Sequence, residues 1–354
     1  MSTRPRAQTE GPRIVVLGAG SIGCWIGGAW AASGLDVTLI GRETVREQIA
    51  GNGLTLTDSE GGRIELRPDE IEFATHAKAM AGADIVLLCV KSTGTAEAAK
   101  QIARHAPKQV AVISFQNGVS NVDLLKAALP KATILRGTVP FNVAALGNGR
   151  WHKGVAGQLM AEDHGVTRDL AARIGNRPGR LVLSGDMVGV AWGKLLINLN
   201  NAVNALSGKT LLEELGDRNY RRVVAAAQIE ALSILKAAGI EPAAGGPIPP
   251  RLLPHVIGAP DFIFRPMVLK RWKIDANARS SMADDFAARR PTEIDQLNGE
   301  VVKLARKLGL KAPVNEAILV LVKQAEAGVQ RQWSASDLRA YVLERHEGAA
   351  GFGY

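Results

Sequence analysis

A short apolar run, Arg13–Leu17, ends in Gly18-Ala19-Gly20-Ser21-Ile22-Gly23, and helical spacing then continues to Ser33. A strand that enters a helix through a glycine turn opens a βαβ unit, and such a unit needs a parallel sheet to pack against. The spacing fits G-x-G-x-x-G, a weak pattern alone that gains meaning from the strand before it and the helix after it. Gly18 permits the tight turn, Gly20 lets the backbone approach a pyrophosphate, and Gly23 lets the helix pack closely on the sheet. The helix N-terminus offers N–H groups and a positive dipole to phosphates. Gly18, Gly20, Ser21, Ile22 and Gly23 are therefore the candidate contacts of a dinucleotide.

Further strand candidates follow at 36–42, 85–90, 110–115, 133–139 and 181–184. The continuous β-rich runs at 85–90 and 110–115 are those of strands buried on both faces of a parallel sheet. Strands alternating with helices indicate a Rossmann-like, doubly wound α/β domain. From about Asp186 the pattern changes to helical segments at 187–207, 210–239, 273–289, 293–308 and 313–327. The expected organisation is a disordered tail (1–12), a nucleotide-binding domain (13–185), an all-α domain (186–345) opened by Asp186 as an N-cap, and a frayed end (346–354). Seven of the sixteen prolines fall between Pro242 and Pro266. That density forbids a long helix and predicts an irregular loop with short turns. The loop leads into Arg265, Lys270, Arg271 and Lys273, and it would serve as a lid.

The end of the second strand bears on the cofactor. A carboxylate there bonds ribose hydroxyls and repels a 2′-phosphate. This chain has Ile40-Gly41-Arg42, and Arg42 can fork onto a phosphate, although Glu43 is adjacent. NADP(H) is the preferred cofactor. Two later loops lie where ligands of open α/β sheets bind. One carries Lys91 after Cys89-Val90. The other is Gln116-Asn117-Gly118, an Asn-Gly pair that also reads as a plain turn.

At 354 residues, 46% hydrophobic and 22% charged, the chain has enough apolar sequence for two cores and is globular rather than disordered. No apolar run approaches the roughly 20 residues that cross a bilayer. The polar N-terminus lacks the apolar core of a secretory signal. Cys24 and Cys89 have no metal spacing, and so few cysteines fit a reducing cytoplasm. The net charge of +9 is spread in small pairs without interleaved aromatics, which argues against a nucleic-acid partner and for an anionic small molecule. An exposed apolar helix face would serve a homodimer, but the sequence identifies none.

Lys194, Asn198 and Asn201 are spaced by four and three, so they share one face of a helix. Three asparagines within four residues weaken that helix without structural return. Reduction of a ketone leaves negative charge on its oxygen. An ammonium can both stabilise that charge and deliver a proton, and burial draws its pKa towards working pH. Asparagine amides hold a carboxylate or hydroxyl without adding charge. Further on, Ser281 and Asp285 are four apart, Pro291 breaks the helix, and Thr292 is a plausible N-cap of a new one with Asp295 in capping-box position. Glu293 would then lie in the first turn. Asp285 reads as support for a helix end or a basic neighbour.

The run Ser280–Asn315 closely resembles the C-terminal signature of the ketopantoate reductases (2-dehydropantoate 2-reductases), and the resemblance extends from Arg13 to about Asn315. It implies NADPH-dependent reduction of a 2-oxo acid, most directly ketopantoate to pantoate in pantothenate synthesis. It also implies a helical C-terminal domain of the 6-phosphogluconate dehydrogenase type. By that resemblance Lys194 is the general acid and Asn198 binds substrate. Ser281 matches the substrate-binding serine, and Glu293 the glutamate near nicotinamide and substrate. Lys91 and Asn117 match residues that line the cofactor and substrate sites. The family's second asparagine falls eight residues after the lysine, where this chain has Ala202, so Asn201 fills the role only with a one-residue slip. A related 2-oxo acid reductase and a non-catalytic NADP-binding regulator are the alternatives.

Overall fold

The computed structural model describes residues 11–266, 278–329 and 332–344. Both tails, Lys270, Arg271, Lys273 and the start of the 273–289 segment fall outside them, apart from Gly11 and Pro12. The chain divides into two compact units, Met1–Met187 and Val188–Tyr354.

The first unit is built on eight strands in the order β12-β11-β8-β7-β6-β1-β2-β5. These are β1 (Ile14–Leu17), β2 (Val37–Ile40), β5 (Glu72–Ala74), β6 (Ile85–Leu88), β7 (Ala111–Ser114), β8 (Thr133–Thr138), β11 (Leu159–Glu162) and β12 (Leu181–Ser184). β1 is flanked in parallel by β2 and β6, with Ile14 opposite Val37 and Ile85. The one reversal is β11 against β8, at Met160–Thr138 and Ala161–Gly137. β1 shows why its run is unbroken. Ile14 and Val16 enter the core that holds α1 (Ser21–Ala32). Val15 and Leu17 enter the core of the opposite face. That face also takes Ala98, Ala99 and Ile102 of α3 (Thr95–His105) and Val122 and Leu125 of α4 (Asn121–Ala128). Helices α2 (Glu43–Asn52) and α5 (Gly165–Ile174) complete the unit.

A second sheet, absent from the sequence reading, has the order β4-β3-β10-β9: β3 (Leu54–Asp58), β4 (Arg63–Leu66), β9 (Val143–Gly147) and β10 (Arg150–Lys153). It packs on α1, whose residues Gly23–Trp30 are all buried. A helix covered by sheets on both sides has no polar face. Sequence signals for these strands existed. The β9–β10 turn contains Asn148-Gly149 at φ 50° and 70°, the pair favoured by tight hairpins.

The second unit is helical, but several expected helices divide. The 187–207 segment is α6 (Met187–Asn198) and α7 (Asn200–Ser207). The Gln228 amide donates to the Leu196 carbonyl at 3.1 Å, the acceptor that the Asn200 N–H would use in an unbroken helix. The 210–239 segment is α8 (Leu211–Gly216) and α9 (Arg218–Ala237), separated where Asp217 turns extended and caps the Asn219 N–H at 2.8 Å. The proline-rich segment holds only α10 (Leu253–Ile257) and α11 (Asp261–Phe264). It is followed, among the described residues, by α12 (Ser281–Ala287), α13 (Asn298–Lys307), α14 (Pro313–Glu326) and α15 (Ala335–Arg339).

The proline-rich segment is tied down by one buried cation. Arg221 of α9 donates to the carbonyls of Ile257, Leu215 and Ala259 at 2.8–2.9 Å and to Asp261 at 2.7 Å. Its guanidinium also stacks 4.2 Å from the Phe264 ring. Leu215 and Ile257 lie in the last turns of α8 and α10 and Ala259 just beyond α10, where carbonyls have no intrahelical partner, so the arginine supplies those partners. Arg221→Ala is expected to cost about 3 kcal/mol in urea unfolding. A loss within about 0.5 kcal/mol, the range of ordinary surface substitutions, would show that the segment is held otherwise.

Candidate active site

In the first unit the glycine turn has the geometry its spacing predicted. Gly18 has φ +107°, and a Cβ there would lie 2.6 Å from the Val90 nitrogen. A Cβ at Gly23 would lie 2.2 Å from the Gly18 carbonyl oxygen, so α1 begins against the turn that precedes it. No side chain caps α1 at Gly20, and Gly20 has open space around it. The leading N–H groups of a helix have no intrahelical partner. Ser21, Ile22 and Gly23 thus present their amides where a phosphate would be favoured. The residues present fit a dinucleotide.

Arg42 is exposed at the N-cap of α2. Its neighbour Glu43 is paired with Arg46 one turn on. Among the described residues no ion pair engages Arg42, so the carboxylate is committed and the guanidinium is available.

Lys91 and Asn117 follow adjacent parallel strands, β6 and β7. Buried and half-buried hydrogen bonds within and between their two loops fix them. Ser92 Oγ donates to the Asn117 carbonyl at 2.7 Å, and the Asn121 amide donates to the same oxygen at 2.6 Å. Gln116 Nε2 donates to Thr95 Oγ1 at 2.8 Å and to the Val90 carbonyl at 3.1 Å, while Ser114 Oγ donates to Gln116 Oε1 at 2.9 Å. Asn117 therefore has a fixed backbone as well as a turn-forming glycine. Ser92, Thr95, Ser114 and Asn121 escaped the sequence reading. Their signal, small polar residues just after buried strands, is shared by many loops.

In the second unit α6 carries Lys194 and Asn198, and its apolar side buries Trp192, Leu195 and Leu196. Asn201 lies on α7 rather than on the same helix, a correction that follows from the break at Leu199. Ala202, at the family's usual asparagine position, is wholly buried. Burial draws the Lys194 ammonium down to about 8, against the upward pull of the Glu293 carboxylate. A lysine held there gives up its proton near working pH.

The segment 280–293 departs from expectation at both ends. Of the expected 273–289 helix, the described part starts only at Ser281, with Ser280 as its buried N-cap, accepting from the Ala283 N–H at 3.1 Å. Ser281 is exposed in the first turn. The helix ends at Ala287, and Arg289 at φ +51° turns the chain before Pro291. Asp285 is buried and takes Arg290 Nε at 3.1 Å, the support for a basic neighbour that was expected of it. No capping box forms at Thr292. Its hydroxyl donates to Glu326 at 2.7 Å, and Asp295 pairs with Lys323. Glu293 consequently sits at the N-cap of the 3-10 turn Ile294–Gln296, and α13 starts only at Asn298. The anchors that won, Glu326 and Lys323, lie some thirty residues away, beyond the reach of a local motif.

Two family models match: ketopantoate reductase PanE/ApbA over residues 14–164, and ketopantoate reductase PanE/ApbA C terminal over residues 186–326. The chain belongs to the ketopantoate reductase family. Members of this family are oxidoreductases acting on CH–OH groups, and the family uses a nicotinamide cofactor. The chain is 27% identical over 328 residues to the 2-dehydropantoate 2-reductase of Halobacterium salinarum, covering 89% of this chain and 99% of that protein. The crystal structure of a PanE/ApbA family ketopantoate reductase from Ralstonia eutropha JMP134 superposes with a TM-score of 0.77 at 27% identity, over 89% of this chain and 99% of that one. D-Mandelate dehydrogenase in a ternary structure with NADH and anilino(oxo)acetate gives a TM-score of 0.71 at 20% identity, over 89% and 99% of the two chains, a likeness of fold.

Gly23→Ala places a methyl group on the Gly18 carbonyl and must push α1 off the turn. Fluorescence titration should show affinity for the reduced nicotinamide cofactor lowered by tenfold or more, a loss of about 1.4 kcal/mol. Unchanged affinity would mean that the amides of this helix do not hold the pyrophosphate.

Proposed function

We propose that this chain is an NADPH-dependent 2-oxo acid reductase that converts 2-dehydropantoate to pantoate, a step of pantothenate synthesis in the cytoplasm. The observation that carries the reading is Lys194, an amine whose pKa burial has brought to about 8 opposite a carboxylate. A solvated surface lysine has no such environment, and a regulator without turnover has no use for one.

A nicotinamide cofactor, held through its pyrophosphate at the glycine turn, would supply the hydride. As the 2-carbonyl is reduced, charge develops on its oxygen. The Lys194 ammonium stabilises that charge and then delivers the proton. Asn198 and Ser281 hold the substrate's carboxylate through neutral donors, with Asn201 as a further donor. Glu293 keeps Lys194 protonated, and Asn117 and Lys91 line the cofactor and substrate positions. Gly18, Gly20, Ser21, Ile22 and Gly23 would hold the cofactor's pyrophosphate. Arg42 holds the 2′-phosphate, supported by its exposure and by the engagement of Glu43 with Arg46.

Lys194→Ala should lower kcat by about 10²–10⁴-fold while the NADPH dissociation constant changes little. Undiminished turnover would remove the mechanism. In the wild type kcat for reduction should fall as pH rises through about 8, because the acid must carry its proton. Glu293→Gln removes the charge that raises this pKa, so the midpoint should move to lower pH. An unmoved midpoint would separate Glu293 from Lys194. Arg42→Ala should raise KM for NADPH about tenfold and leave KM for NADH unchanged, as expected for one lost charge-assisted phosphate contact. An equal change with both cofactors would assign Arg42 no part in the choice.

A further inference from the structure

Glu293 stands in a stretch with little regular structure to hold it. Between the end of α12 at Ala287 and the start of α13 at Asn298 the described residues form one 3-10 turn, Ile294–Gln296, with Arg289 at positive φ and Pro291 ahead of it. What ties the stretch down is a carboxylate on another helix. Glu326, the last residue of α14, accepts through its Oε1 from the Thr292 N–H at 2.8 Å and from the Thr292 hydroxyl at 2.7 Å. The Thr292 oxygen accepts in turn from the Ile294 N–H at 3.3 Å. One carboxylate oxygen thus governs the residues on both sides of Glu293. The other, Oε2, lies 3.4 Å from Lys323 Nζ, and Lys323 also donates to Asp295 Oδ2 at 2.5 Å.

Thr292 is 2% exposed, so its N–H and hydroxyl have no water at hand, and a buried donor left unmet is costly. Ile294 is wholly buried, but apolar packing is non-directional. The hydrogen bonds at Thr292 therefore set how the chain runs through Glu293. Of the charged groups around the turn, Glu326 and Lys323 come from α14, Asp295 from the turn itself and buried Glu300 from the first turn of α13. Asp285 and Arg290 are paired with each other just ahead of it. Lys194 comes from α6, and among the described residues Glu293 is the carboxylate that pulls its pKa up. That attraction falls with distance, so it depends on where the backbone holds Glu293.

We propose that Glu326 is a positioning residue for the reduction: it clamps Thr292 and so holds the Glu293 carboxylate in its place towards Lys194. The role needs an acceptor oxygen rather than a negative charge, because both clamp bonds end on Oε1. A glutamine supplies that oxygen, selected by the two donors of Thr292, and an alanine does not. Without the clamp Thr292 must seek other acceptors, and the chain on either side of Glu293 loosens with it. The proposal rests on the reading of Glu293 as the partner of Lys194.

NMR titration of the protein carrying isotope-labelled lysine follows each ammonium directly, and the Lys194 signal is the one that Lys194→Ala removes. Glu293→Gln should lower the Lys194 midpoint. Glu326→Ala should lower it by about half of that shift or more, and Glu326→Gln should leave it near the parent value. Glu326→Ala added to Glu293→Gln should move it no further than Glu293→Gln alone. The pH profile of kcat with 2-dehydropantoate and NADPH should move in parallel. A parent midpoint in Glu326→Ala, with Glu293→Gln shifted, overturns the positioning role and leaves the pairing of Glu293 with Lys194 standing. Equal shifts in Glu326→Ala and Glu326→Gln overturn the clamp in favour of a direct effect of the Glu326 charge. No shift in Glu293→Gln overturns the pairing itself, and the proposal with it. Thr292→Val keeps the branched side chain but loses the hydroxyl, so it should lower the midpoint too. An unmoved midpoint there overturns the clamp even if Glu326→Ala does not fold.

Discussion

The first unit depends on how closely α1 can start against β1. Its helix is buried from Gly23 to Trp30, with one sheet on each side. That burial is obtained only because a glycine lies against the Gly18 carbonyl and Gly18 itself takes a left-handed turn. The same closeness leaves the helix end without a side-chain cap, so the amides that packing cannot satisfy are turned outward at the C-terminal edge of the parallel strands. Stability and anion binding come from one geometric fact. A bulkier turn would lose the helix packing and the phosphate seat together.

The second unit is organised by polar groups wholly or partly withdrawn from water. Arg221 answers with carbonyls and a carboxylate and thereby ties the short helices of a proline-rich stretch to α9. Lys194 answers with a lowered pKa under the influence of Glu293. Glu214 answers with a raised one. Desolvation acts in opposite directions on an amine and a carboxyl, and here it brings both near pH 8. An amine that gives up its proton more readily and a carboxyl that keeps its proton longer are two outcomes of the same penalty.

Much of this was legible in the chain. The sheet's principal strands, the glycine turn and the change to helices near residue 186 each rest on patterns of a few consecutive residues, and those patterns are local by nature. The second sheet was missed although Leu54-Thr55-Leu56-Thr57 and Arg63-Ile64-Glu65-Leu66 alternate and Asn148-Gly149 marks a hairpin, because its strands are half-exposed and lack the continuous apolar runs of the first sheet. The helix breaks at Leu199 and Asp217 depend on Gln228 and on a side-chain cap, and periodicity alone runs through both. Around the site, Lys194 and Glu293 carried a recognisable signature. Ser280, Asn204 and Glu214 carried none, because an amide or carboxyl at helical spacing looks the same whether it meets water or a buried partner.

The central claim is turnover of a 2-oxo acid with NADPH. Its most direct measurement is the loss of NADPH absorbance with the purified protein, taken across 2-dehydropantoate and a panel of 2-oxo acids of graded side-chain size. The account predicts rapid oxidation, fastest with 2-dehydropantoate and stoichiometric with the 2-hydroxy acid formed. Tight NADPH binding with no oxidation by any acid in the panel would contradict it.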